Sequence, residues 1–285
     1  MPDSSLCLLL LVIALAIGFG IVNGFNDAAN AIATVVGTRV LSSRNAIILA
    51  TFLNLAGAAT GLAVARTIGK GILDEKVVLD LPEITAFLLV IAALASVIIW
   101  TTLATYYGLP VSITHGFVAG LAAAGMAVAG GGAIVWGVFQ RILSAVVTAP
   151  VLGFIGGFAL MVILFWVFRQ SAPAKVRGIF SNLQTFSAAF VAYSHGKNDG
   201  QMPIGVITMA LVIYYQQPGL WDQLPYGDLW WVVAISALAI SLGTAIGGWR
   251  VIRTLGLRVT TLRPVHGFAA EASAATVIEI ASHLG

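Results

Sequence analysis

The chain predicts an all-α, polytopic integral membrane protein made of two inverted-topology repeats with broken helices. Three observations predict it. The 285 residues are 59% hydrophobic and only 9% charged, with a mean hydropathy of +1.00, whereas a soluble domain carries roughly 25% charged residues. Apolar segments of membrane length recur at about 6–38, 45–68, 85–107, 111–134, 140–168, 183–215, 229–249 and 268–284. The first and the sixth carry related polar interruptions, Asn23-Gly24-Phe25-Asn26-Asp27-Ala28-Ala29-Asn30 and Ser194-His195-Gly196-Lys197-Asn198-Asp199-Gly200-Gln201.

Taken in order, the first segment is a retained span rather than a signal peptide. No basic stretch precedes Leu6, and no small-residue cleavage site precedes the polar interruption. It is too long for one simple span, so a broken helix is expected at residues 23–30. Arg39 and Arg44 follow with no acid, which places that loop in the cytoplasm and the N-terminus outside. After the second segment, residues 69–83 carry a net charge of −2 and lie outside. The fourth segment opens with Gly108-Leu109-Pro110 and ends in Gly130-Gly131-Gly132. Proline suits a helix start and glycine its end, and the segment fits a re-entrant hairpin better than a clean span. Arg141, at the head of the fifth segment, has no place in this charge pattern.

Arg169, Lys175 and Arg177 make residues 169–182 a cytoplasmic linker between a first repeat, 1–168, and a second, 183–285. The sixth segment is the second broken helix. Residues 216–228 hold Asp222 and Asp228 with no base and lie outside; residues 250–266 hold Arg250, Arg253, Arg258 and Arg263 and lie inside. Loop charge thus runs basic then acidic in the first half and acidic then basic in the second, as two halves of opposite membrane orientation produce. Trp221, Trp230 and Trp231 read as interface anchors. The expected location is the cell inner membrane, crossed many times.

An ionisable residue in hydrocarbon is costly and marks an ion or substrate path. A Gly-interrupted polar break repeated in both halves points to a transporter's midplane site. Asn26, Asp27, Asn198 and Asp199 offer carboxylate and amide oxygens suited to a hard cation or a proton. A helix-capping Asp explains one of these acids well but two related copies poorly. Glu271, early in the last segment, is a third candidate buried acid, while Glu279 and His283 near its end fit a solvated face.

Leu109-Pro110-Val111-Ser112-Ile113-Thr114-His115 is a second constellation. A proline-initiated helix start presents free N–H groups, and Ser112, Thr114 and His115 add donors, which together suit a tetrahedral oxyanion. Capping by Ser112 alone is the plain alternative. Lys197 is placed to pair with Asp199, to help hold the anion or to extend to the interface. A single cysteine, Cys7, excludes an internal disulfide and a multi-cysteine metal site. There is no His-Glu-x-x-His, no nucleophile elbow, no cofactor signature and no basic run for nucleic acid. An intramembrane metalloenzyme built on His195 and Asp199, or a passive anion channel, remains as a weak rival.

At these three blocks, and over nearly its whole length, the chain resembles the inorganic phosphate transporter (Pit) family. The resemblance implies a secondary active symporter, not an enzyme, with two inverted repeats and no cofactor. Asp27 and Asp199 would be its essential acids, and Ser112 and Thr114 would line the phosphate site. Phosphate, alone or as a metal–phosphate complex, is the implied partner together with the lipid bilayer; assembly as a homo-oligomer is left open. Sodium-coupled members tend to carry Glu where this chain has Asn54, and proton-coupled bacterial members resemble it over Phe52 to Leu55. H+ is therefore the expected coupling ion, ahead of Na+. A sulfate permease on the same scaffold is the nearest rival, since sulfate has the same shape; only phosphate can donate a hydrogen bond to a buried carboxylate, and an acid beside the anion therefore favours phosphate. Asp27 precedes Gly108 by 81 residues and Asp199 precedes Gly285 by 86. A second Leu-Pro-Val-Ser block is thus expected where the sequence ends, as in a member shortened at its C-terminus.

Overall fold

Apolar sequence becomes helix almost throughout, because backbone N–H and C=O groups in hydrocarbon must be satisfied within their own segment. The computed structural model describes residues 4–284, with side chains as far as residue 281. Its helices are α1 (Ser4–Gly37), α2 (Ser43–Ala58), α3 (Ala63–Lys70), α4 (Glu75–Leu79), α5 (Glu83–Tyr107) and α6 (Ile113–Ala129), then α7 (Trp136–Phe168), α8 (Pro173–Asp199), α9 (Gln201–Tyr215), α10 (Trp230–Ile246), α11 (Trp249–Arg253) and α12 (Pro264–Leu284). Among the described residues the sole β feature is a bridge between Leu73 and Ile134. α1, α5 and α7 are each long and apolar enough to cross a membrane alone, and α2–α3 and α10–α11 qualify as bent pairs. The all-α, multi-pass expectation holds.

The break expected in the first segment is absent, while the one expected in the sixth falls within its predicted interruption, at Gly200. α1 runs unbroken through Asn26 and Asp27 for 34 residues, about 51 Å. The sharp bends lie outside the acid-bearing helices, 69° between α2 and α3 and 56° at Gly247-Gly248 after α10. Between α8 and α9 the helix lapses only at Gly200, which keeps helical dihedrals (φ −63°, ψ −19°). Pro203 has no N–H to meet the carbonyl of Asp199, which accounts for the lapse. The side chain of Gln201 accepts from the Val64 and Ala65 N–H groups, at 2.9 and 3.2 Å, and so caps α3 at the other break.

Three further differences are local. The hairpin expected at 111–134 is a single helix, α6, returning from the Gly108 end to the Leu73 end. Its 17 residues span about 26 Å. α8 begins at Pro173, ten residues before the apolar stretch, because a proline at its first position starts a helix well in a polar sequence. Trp221 is buried rather than an interface anchor. Its indole N–H donates to Glu75 at 2.8 Å, and the Lys70 ammonium lies 5.7 Å from its ring. Trp230 is exposed, as an anchor should be.

Contacts between loops test which ends lie together. At one end the Asp74 N–H donates to the Ala133 carbonyl (2.8 Å), the Val135 N–H to that of Ile72 (3.0 Å), and Arg66 pairs with Asp222 at 3.8 Å. At the other, the Arg250 guanidinium sits 4.5 Å from the Tyr106 ring, and the Thr254 hydroxyl donates to the Gly108 carbonyl at 3.1 Å. The segments before and within the acidic loops 69–83 and 216–228 meet at one end, and the basic stretches 169–177 and 262–266 share a cavity. The larger apolar core joins the first half of α1 to α5, α6, α9 and α10. A second joins the end of α1 to α2, α8, α11 and α12.

Candidate functional site

Two helix crossings bring the acids together. A Cβ on Gly24 of α1 would stand 1.9 Å from the Ile240 carbonyl oxygen of α10, and one on Gly243 would stand 2.0 Å from that of Ile21. A Cβ on Gly196 of α8 would meet the Asn54 carbonyl of α2 at 2.3 Å, and one on Gly57 that of Tyr193 at 2.1 Å. The Asp27 helix, α1, therefore lies backbone to backbone against α10, and the Asp199 helix, α8, against α2. Asp27 and Asp199 stand three residues beyond Gly24 and Gly196 on their helices, and both are buried.

His195 lies between them. Its Nε2 is 3.4 Å from Asp199 Oδ2 and 3.8 Å from Asp27 Oδ2. Its Nδ1 is 2.7 Å from Asn54 Oδ1. The hydrogen-bond chain fixes which way Asn54 points. The Thr244 hydroxyl donates to the Ile240 carbonyl at 3.0 Å, so it accepts from Asn54 Nδ2 at 3.2 Å. Asn54 Oδ1 must then accept from His195 Nδ1–H. Nε2 is left facing two carboxylates with no hydrogen-bond partner of its own. A lone pair there is repelled by both acids, whereas a proton or a cation there is attracted by both.

The remaining polar groups hold this centre in place. Asn26 donates to the Thr105 hydroxyl at 2.6 Å, and Asn30 to Asp27 Oδ1 at 3.0 Å. Asn198 donates to Asp199 Oδ1 at 3.3 Å. Asn23, Thr101 and Ser236 are fully buried, with side-chain polar atoms that lack partners among the described residues. Orphaned buried polar atoms call for an ion or a water to satisfy them. One carboxylate oxygen from each Asp and one His195 nitrogen all lie within 4.8 Å of one another, so the three residues are able to ligate a single ion.

Glu271 is buried as expected, away from that centre. It accepts from Thr34 of α1 and from Gln184 (3.1 Å) and Ser187 of α8. Gln184 Oε1 in turn accepts from Thr38 at 2.8 Å. Lys197 is held by Glu279 at 2.7 Å, and Ser194 donates to the same carboxylate at 2.9 Å. Glu279 is thus an ion-pair partner rather than part of a solvated face, while the side chain of His283 lies outside the described residues. Ser112 caps α6 by accepting from the His115 N–H, and its hydroxyl lies 2.5 Å from His115 Nδ1. Ser112 and His115 are exposed and Thr114 is half-buried. The structure therefore gathers Asp27, Asp199 and the unexpectedly central His195, and among the described residues no hydrogen bond or ion pair joins Ser112 or His115 to them.

Residues 23–285 match the profile of the phosphate transporter family. The chain belongs to this family. A probable low-affinity inorganic phosphate transporter of Bacillus subtilis is 38% identical over 276 residues, 97% of this transporter and 80% of that one. A protein of the same description from Rhizobium meliloti is 38% identical over 286 residues, covering 99% and 82%. A solved structure described as the sodium-dependent phosphate transporter superposes with a TM-score of 0.86 at 24% identity, over 98% of this transporter and 85% of that chain. It shares the fold. The transporter is a membrane protein and not an enzyme, and the metalloenzyme reading of His195 and Asp199 is set aside.

Proposed function

We propose that the chain imports inorganic phosphate across the cell inner membrane as a proton symporter, by alternating access between two inverted repeats, 1–168 and 183–285. The observation that carries the proton reading is Asn54. A neutral amide accepts from His195 Nδ1 and leaves Nε2 between two acids, where one proton joins Asp27, His195 and Asp199 as a single charged unit. Asn30 and Asn198 donate to the two carboxylates, and Asn26 ties the same stretch of α1 to Thr105 of α5. Glu271, ringed by three neutral donors, extends the proton path toward the inner face. Phosphate, alone or with a bound metal ion, is held at the start of α6 by Ser112, Thr114, His115 and the free N–H groups of the first turn. Lys197 exchanges Glu279 for the anion when α12 moves. The paired crossings of α1 with α10 and α8 with α2 support the inverted repeat, since each acid-bearing helix makes the same contact in the opposite half.

The test is uptake of labelled phosphate and labelled sulfate into proteoliposomes under an imposed inward proton gradient or an inward sodium gradient. Phosphate should accumulate uphill with the proton gradient, and Asp27→Asn or Asp199→Asn should lower the rate by at least about tenfold, the effect of losing some 1.4 kcal/mol of coupling. Uptake that follows sodium and ignores pH would overturn the proton reading, and equal transport of sulfate would overturn phosphate selectivity.

A further inference from the structure

A cavity of about 680 Å³ opens where the end of α7 meets the starts of α8 and α12, at the end of the bundle that loop charge assigns to the cytoplasm. Arg169, Arg177, Arg263 and His266 line it, and no Asp or Glu does. Pro173 and Pro264, the first residues of α8 and α12, also stand in its wall. Two helix N-termini therefore converge there, each contributing partial positive charge and first-turn N–H groups. Three guanidinium groups and two helix starts without a facing acid form a field that only an anion relieves.

Apart from Thr38 and Ser171 the rest of the wall is apolar, and this decides the kind of anion. Leu164, Phe165 and Phe168 of α7 stand between the arginines. A small hydrated ion gains nothing from such a surface and loses water on entering it. The volume is that of a pocket for a molecule of many atoms. α7 buries none of its residues in the bundle, and Phe158, Val162 and Phe165 follow one another up one exposed apolar face from the cavity's mouth. The Arg169 guanidinium lies 5.0 Å from the exposed Trp166 ring, a pairing that belongs at headgroup depth.

We propose that this cavity binds the phosphate headgroup of an anionic phospholipid, with acyl chains lying along α7. The headgroup phosphate sits among Arg169, Arg177 and Arg263 above the starts of α8 and α12. The chains take the Phe158–Val162–Phe165 face. Basic pockets between spanning helices on the cytoplasmic side bind acidic headgroups in this manner. The site is separate from the acid centre, and its occupancy does not depend on which ion drives transport.

The experiment uses the purified full chain in neutral detergent, titrated with phosphatidylglycerol, phosphatidylcholine or inorganic phosphate. Bound lipid is counted by native mass spectrometry, and unfolding temperature is followed in parallel. Phosphatidylglycerol should bind saturably and raise the unfolding temperature, while phosphatidylcholine should do neither. Arg169→Gln with Arg177→Gln should weaken that binding on the order of 30-fold, from two lost charges near the surface. Arg66→Gln at the opposite end should leave it unchanged. Should the double variant fold poorly, Arg263→Gln alone and the charge-keeping Arg177→Lys replace it; the first must weaken binding and the second must largely retain it. Equal phosphatidylglycerol binding in wild type and the arginine variants overturns the proposal. So does a stabilisation by inorganic phosphate that matches that of phosphatidylglycerol and is lost in the same arginine variants, which would assign the cavity to a soluble anion.

Discussion

Asn54 decides what the acid centre can hold, because it sits on the far side of His195 from both carboxylates. As an amide it accepts one hydrogen bond from Nδ1 and adds no charge. The centre then has two acids and one imidazole, which one proton on Nε2 satisfies. With that proton the centre carries one net negative charge, and a carboxylate at position 54 would add a third acid against the same ring and deepen the deficit by one unit. Asn54→Glu should therefore lower proton-driven phosphate uptake by at least about tenfold and make uptake respond to sodium, a cation able to fill the deficit. Initial rates under separate proton and sodium gradients measure both changes. A variant as proton-driven as the wild type and indifferent to sodium would show that Asn54 only spaces the helices. No local pattern in the sequence marks Asn54 as His195's partner, because the two stand 141 residues apart.

At the scale of helices, the glycines of the two motifs act by letting backbones touch. The sequence shows Gly24 and Gly196 inside polar interruptions, and glycine beside Asn and Asp reads as a helix breaker. The crossing partners Ile240 and Asn54 lie in other segments, so close approach is invisible to a reading along the chain. In the fold both glycines stay helical and meet carbonyl oxygens that cannot be moved without moving a helix. Gly24→Ala and Gly196→Ala should each destabilise the protein by about 1–3 kcal/mol or more through overpacking. Gly178→Ala in α8, where an added Cβ meets nothing within 4 Å, should instead be neutral or stabilise by about 0.5–1 kcal/mol. Thermal unfolding in detergent separates the two outcomes. Glycine-to-alanine changes of equal effect at all three positions would mean that the crossings are looser than drawn.

For the whole molecule, membrane class, segment order and the three buried acids were legible because each rests on composition or on charge within one segment. Asp27, Asp199 and Glu271 stand out as acids inside apolar sequence, and all three are buried. The bends after α2 and α10, the buried Trp221 and the central His195 depend on partners in distant segments and were not. The loop-charge alternation is the whole-molecule feature that carries most weight, since Arg66 meets Asp222 at one end and Arg250 meets Tyr106 at the other. Those contacts fix which loops share an end; charge alone says which end faces the cytoplasm. Cys7 is the single cysteine of the chain, so a Cys7→Ser background permits reporters of that orientation. Gly219→Cys, between α9 and α10, should react with a membrane-impermeant maleimide in intact cells. Lys175→Cys, at the exposed start of α8, should react only after the membrane is permeabilised. Labelling of position 175 in intact cells with protection of position 219 would invert the topology. The basic cavity between α7, α8 and α12 would then face the outer leaflet, and Arg39, Arg44 and the arginines of residues 250–263 would break the charge rule together.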